Sequence, residues 1–104
     1  MNNNTPWGRA SQEIQDEFRY SREKYGDDFD RQNTMNDWVA YITQYAGRAC
    51  TYFSDPDVKT TADARAKFRV MMQKVANLAI CAMIAEESGW LPGRFYDGTK
   101  GEAK

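Results

Sequence analysis

The stretch VANLAICAMIA, residues 75 to 85, restricts this chain more than any other. It is apolar on nearly every side, and a helix that is apolar all round must be buried all round. Thr60 followed by Asp63 is a capping pattern that opens a helix, and nothing breaks the helical period until Ser88 and Gly89, which place its end near Glu87. At 1.5 Å per residue this helix is about 40 Å long. A chain of 104 residues makes one domain with a single modest core, and two further helices can hardly enclose such a rod. A second copy of the chain is the natural cover. The reading therefore predicts a homo-oligomer, dimer or higher, with a core built from these C-terminal halves.

The remaining elements follow from caps and period. Ile14, Phe18 and Tyr25 share one helical stripe, with Ser11 as N-cap and Gly26 as the stop. GDDFDRQN is a loop. Thr34 and Asp37 form a second capping box, and Trp38, Ile42, Ala49 and Phe53 keep a helical period up to the turn SDPD at 54 to 57. Gly47 costs this helix about 1 kcal/mol relative to alanine, which a close helix contact would compensate. The predicted fold is all-α: a short N-terminal helix and two long antiparallel helices, assembled into an oligomeric bundle. Residues 1–10 are expected to be loosely held, with Trp7 packing back on the body. Residues 11–97 form one helical domain ending in an aromatic strap, WLPGRFYDG, and 98–104 form a disordered tail.

Composition narrows the chemistry. A formal charge of -1 gives no global attraction to long nucleic acid or to membranes, so any electrostatic function must be local. The chain has no histidine, which removes imidazole bases and most zinc sites. Its two cysteines, Cys50 and Cys81, fall on helices at levels about 15 Å apart or more, so buried free thiols are expected rather than a disulfide. The longest apolar run is about half of what a membrane span needs, and no leader-like segment opens the chain. A cytosolic protein is expected.

One helix edge stands out. Tyr41, Tyr45, Arg48 and Tyr52 lie at i, i+4, i+7 and i+11, and Arg48 is the one charge between Trp38 and Phe53. Lys67, Met71, Lys74 and Leu78 have the same spacing on the third helix. A hairpin with helix ends at 53 and 61 puts Tyr41 and Gln44 level with Gln73 and Val70, and Arg48 opposite the Lys67 region. Aromatic rings beside cations suit a nucleotide, the rings stacking on a base while arginine and lysine pair with phosphate. Tyrosines snorkelling at a core boundary beside solvated cations would leave the same pattern. Asp27, Asp28 and Asp30 carry oxygens suited to a hard cation, yet they match no complete calcium loop, and a solvated acidic loop is the plainer reading. Asn77, in the most apolar stretch, would bridge to its symmetry mate or read a ligand.

The run YGDDFDRQNTMNDWVAYITQYAGRA, followed by FRVMMQKVANLAICAMIAE, resembles a group of small phage and prophage proteins with a W/Y-G-x-x-F-D-x-x-N-T-x-N-D-W-x-x-Y pattern. The likeness covers residues 25 to 85 or so and is silent on activity. More distantly, the helix pair is similar to the MazG-type all-α nucleoside triphosphate pyrophosphohydrolases, which are dimers or tetramers with E-E-x-x-E on one helix and E-x-x-D on the next. Aligned at Gly47, the first motif's glutamates fall on Gln44, Tyr45 and Arg48, and the second motif falls on Met71 and Lys74. None of the five is a carboxylate, and two are cationic. The resemblance thus implies a nucleotide site that has lost the acids for magnesium and water activation, and that meets phosphate directly.

The expected function is non-catalytic nucleotide binding in the cytoplasm of an infected bacterial host. It would be a sponge for a nucleotide immune signal, such as a cyclic oligonucleotide or an ADP-ribose derivative. The expected ligand residues are Tyr41, Gln44, Tyr45, Arg48, Lys67, Met71 and Lys74, with no metal and no cofactor. Two other readings stay open: a MazG-like pyrophosphohydrolase using carboxylates of the 27–37 loop, and a helical module that binds another protein.

Overall fold

In the computed structural model, residues 4–51 and 60–91 are described, and they form three α-helices with no strand among them. The helices are α1 (Pro6–Tyr25), α2 (Met35–Cys50) and α3 (Thr61–Glu87), with a short 3-10 turn at Asp30–Gln32 before α2. The turn falls within the segment expected to be a loop.

The caps explain the boundaries. Thr60 accepts a hydrogen bond from the Asp63 N–H and opens α3. Thr34 accepts from the Asp37 N–H at 3.0 Å, while the Asp37 carboxylate accepts from the Thr34 N–H at 2.8 Å, a complete capping box. Gly26 and Gly89 follow α1 and α3 at φ of 70° and 74°, the left-handed region that glycine enters without a Cβ clash.

α1 begins five residues before the expected Ser11. Thr5 accepts from the Gly8 N–H, and Pro6 takes the first turn, where its missing N–H costs nothing. With 20 residues α1 is longer than the 16-residue α2, so the N-terminal helix is not the short one. Residues 6–10 are helical, and Trp7 points into solvent at 79% exposure instead of packing on the body. The predicted end of the second helix at Phe53, the SDPD turn and everything after Leu91 lie outside the described residues.

α3 is the centre, and α1 and α2 each pack on it rather than on each other. α1 runs parallel to it. Glu13 bonds Arg69 and Gln73, Glu17 bonds Lys74, and Ser21 bonds Asn77, pairs that lie 56 to 60 positions apart. An offset of 56 also sets Gly8 level with Ala64, and both are buried, as close approach of two helices requires. α2 lies with its start against the end of α3. Trp38, Cys81 and Ala85 form the buried cluster there, joined by Phe18, Leu78, Ala82, Trp90 and Leu91. The hairpin count would have set Trp38 opposite residue 76; its contacts with 81 and 85 shift the pairing by more than one helical turn.

The core is thin. Among the described residues, the buried apolar ones apart from Trp38 are three alanines and a cysteine. Met83 is 69% exposed and Phe68 43%. By length and composition alone α3 is long and apolar enough to cross a membrane, a wider measure than the 11-residue run considered above. The same helix bonds α1 through Arg69, Gln73, Lys74 and Asn77.

Candidate functional site

The α2 edge holds its aromatic and cationic groups in order. The Arg48 guanidinium lies 5.0 Å from the Tyr45 ring centroid, one turn away on the same helix. Tyr41 stands edge-on to the buried Trp38 ring at 6.5 Å and is itself 41% exposed. Gln44 and Arg48 are exposed, and among the described residues no carboxylate pairs with Arg48. Stacking on Tyr45 restrains an exposed guanidinium whose donors the ring does not use.

The α3 half of the expected site is dispersed. The Lys74 ammonium bonds the Glu17 carboxylate of α1 at 3.3 Å, so that cation faces α1 and is neutralised there. Lys67 and Met71 line a shallow hollow of about 200 Å³ together with Ala66 and Val70. None of the α2 residues Tyr41, Gln44, Tyr45 and Arg48 lines that hollow. The structure therefore keeps Tyr41, Gln44, Tyr45 and Arg48 on one edge and does not bring Lys74 to them.

Gly47 has open space around it. An added Cβ would meet nothing within 4 Å, so the expected close contact is absent among the described residues. Gly47→Ala should then stabilise the isolated subunit by about 1 kcal/mol, read as a raised midpoint in urea. A fall in stability or in assembly would instead show that a ligand or another copy approaches α2 closely at this position.

Two of the three loop aspartates are engaged by neighbours, while Asp28 is exposed and enters no ion pair among the described residues. Asp30 pairs with Arg22 in a largely buried ion pair, and Arg22 also stacks on Phe18 at 4.9 Å. Asp27 pairs with Arg31, whose guanidinium lies 4.3 Å from the Trp90 ring centroid. Asp37 is spent on the capping box. Among the described residues no group of three or more acidic or cysteine side chains is placed to hold a metal ion.

Asn77 is 8% exposed and satisfied inside the subunit. Its Nδ2 donates to Ser21 Oγ at 3.3 Å, and its Oδ1 faces Cys81 Sγ at 4.0 Å. It therefore ties α1 to α3, which corrects the expectation of a contact to a symmetry mate or ligand. The Trp38 indole N–H is buried and has no hydrogen-bond partner among the described residues.

Both cysteines are free thiols, but Cys50 is exposed, which departs from the expected burial of both. Burial, reinforced by the Asp30 carboxylate nearby, pushes the Cys81 thiol up to about 11. The folded state thus holds this proton more tightly than the unfolded chain does. Its contribution to stability should be complete below about pH 9 and be lost as pH rises towards about 11. At pH 8 a maleimide should label Cys50 rapidly and Cys81 only on unfolding, countable by mass spectrometry. Two labels on the native protein would contradict the burial.

A further hollow, of about 690 Å³, lies between α1 and α3. Ala10, Ile14, Phe68 and Met72 line it, with Arg65 and Arg69 among the bordering residues. Glu13 bonds Arg69, which holds the Glu13 carboxyl below the usual carboxylate range. The Thr5-Pro6 start signal would have revealed the α1 side of this hollow, because it makes Ala10 helical.

Searches against protein-family models, curated proteins and solved structures find no match for this chain.

Proposed function

We propose that this chain is a non-catalytic, self-associating helical protein that binds a nucleotide on the outer edge of α2. The observation that supports this most is Arg48, exposed, stacked on Tyr45, and set on an otherwise uncharged flank with Tyr41 and Gln44. An exposed arginine stacked on a tyrosine, with no carboxylate pairing with it among the described residues, suits phosphate. Base stacking would fall to Tyr41 and Tyr45. Lys67 and Met71 would join only through a rearrangement or a second copy, and Lys74 only by releasing Glu17.

The finer reading is a phage-type sponge acting in the host cytoplasm, which sequesters a nucleotide immune signal such as a cyclic oligonucleotide or an ADP-ribose derivative. Such a role needs stoichiometric binding and no turnover. Against the pyrophosphohydrolase reading stand Asp27, Asp30 and Asp37, each already bonded to a neighbour within the subunit. The protein-binding reading keeps one specific support, the exposure of Val39 and Met83.

The test is a thermal-shift screen of nucleotides and cyclic nucleotides, with and without magnesium, followed by recovery of the ligand. A ligand that binds the native state raises apparent stability by mass action. The proposal expects a magnesium-independent shift and an unchanged ligand. Turnover that EDTA stops would favour the enzyme, and no shift with any nucleotide would leave the protein-binding module.

A further inference from the structure

Among the described residues, two sides of α3 carry its bonds and packing within the subunit, and Phe68 and Met72 border the hollow beside α1. One side bonds α1 through Arg69, Gln73 and Asn77. Another packs Leu78, Cys81, Ala82 and Ala85 around Trp38. At 100° per residue, the third side carries Phe68, Met72, Val75, Ala79 and Met83, a continuous apolar stripe spaced by three and four residues. Its ends are the most open: Phe68 is 43% and Met83 69% exposed.

The stripe is bounded by opposite charges. Arg65 lies one turn before Phe68 and Glu86 lies just beyond Met83; both are exposed, and neither enters an ion pair among the described residues. These residues are arranged symmetrically about the point between Val75 and Ala76. Arg65 and Glu86 are equidistant from it, as are Phe68 and Met83, and as are the large Met72 and the small Ala79. A helix with that symmetry is complementary to itself when reversed. Small residues at the middle permit the close crossing that helix pairs require.

We propose that a second copy docks on this side, α3 antiparallel to α3, about a two-fold axis near Val75 and Ala76. The proposal rests on the self-association put forward above and specifies its geometry. Arg65 then meets Glu86 of the partner subunit, and the reciprocal pair forms at the other end. Met72 fills the space left by Ala79 of the partner subunit. A parallel pairing would set arginine beside arginine and glutamate beside glutamate, which like-charge repulsion disfavours. Such a contact is isologous and closes on itself, leaving the α2 edge open.

The experiment uses the full chain in two arms. Arg65→Glu and Glu86→Arg should each weaken the dimer about tenfold or more in sedimentation, while the double variant should recover it, because a swapped pair restores the attraction. In a Cys50→Ser background, Val75→Cys should oxidise to a covalent dimer. Glu86→Cys should not, because the antiparallel arrangement separates the two copies of that position by about 30 Å. A wild-type chain that sediments as a monomer at micromolar concentration would overturn self-association itself. An oligomer that persists without recovery in the double variant, or that cross-links through Glu86→Cys, would overturn only the antiparallel α3 contact.

Discussion

Under the proposed α3 pairing, Ala79→Glu should leave the protein a folded monomer. Ala79 lies on the outer stripe of α3, away from the cluster of Trp38, Cys81 and Ala85, so a longer side chain there meets solvent in the isolated subunit. In the assembly it would bury a carboxylate against an apolar neighbour with no cation in reach. Breaking a buried pair, a related case of stranding one charge, costs about 3 to 5 kcal/mol, and a two-fold interface contains the change twice. At 1.4 kcal/mol per factor of ten, each copy weakens association at least about 100-fold. Sedimentation velocity at micromolar concentration should show the monomer, with helical circular dichroism unchanged. Ala82→Glu makes the contrast: Ala82 packs against the Trp38 cluster, so the same charge there should unfold the subunit. An Ala79→Glu variant that stays fully associated would mean that the covered face is elsewhere.

The parts of this fold that could be read in the sequence are those decided within four residues. The capping box of Thr34 and Asp37, the Thr60 cap with Asp63, and the glycines at 26 and 89 each satisfy backbone groups of their own turn, so they mark boundaries wherever the helix packs. The start of α1 was present in the same language, in Thr5 and Pro6, but Ser11 offered a competing cap closer to the apolar stripe. The all-helical class followed from period. What was not legible depends on which helix meets which. Nothing near Lys74 announces that its partner is Glu17, and nothing near Asn77 announces Ser21, because each partner lies 56 or 57 positions away. The pairing level of Trp38 was misjudged because counting through a tight hairpin assumes a loop that wastes no residues. Gly47 differs for another reason: a helical glycine signals low propensity, and only the structure tells whether a neighbour occupies the space.

With Lys74 bonded to Glu17, Arg48 is the principal charge of the proposed nucleotide site. Arg48→Glu should therefore abolish nucleotide binding while leaving the fold and the assembly intact. Arg48 is exposed and, among the described residues, its side chain stacks on the Tyr45 ring of its own helix, so its replacement strands no buried group. A hydrogen bond to a charged group contributes about 1.5 to 3 kcal/mol, and reversing the sign adds repulsion against phosphate, so affinity should fall by about 100-fold or more. Tyr45→Ala should act twice, removing a stacking face and releasing the guanidinium that the ring holds; a loss of about 1 to 3 kcal/mol is expected. Lys74→Ala separates this reading from the sequence-level one. With its ammonium committed to Glu17, Lys74 should affect stability more than affinity. Calorimetric titration of the nucleotide found in the thermal screen supplies the numbers. Equal losses in the Arg48 and Lys74 variants would return Lys74 to the site and require α1 to release it on binding, whereas full affinity in the Arg48 variant would place the pocket on another face.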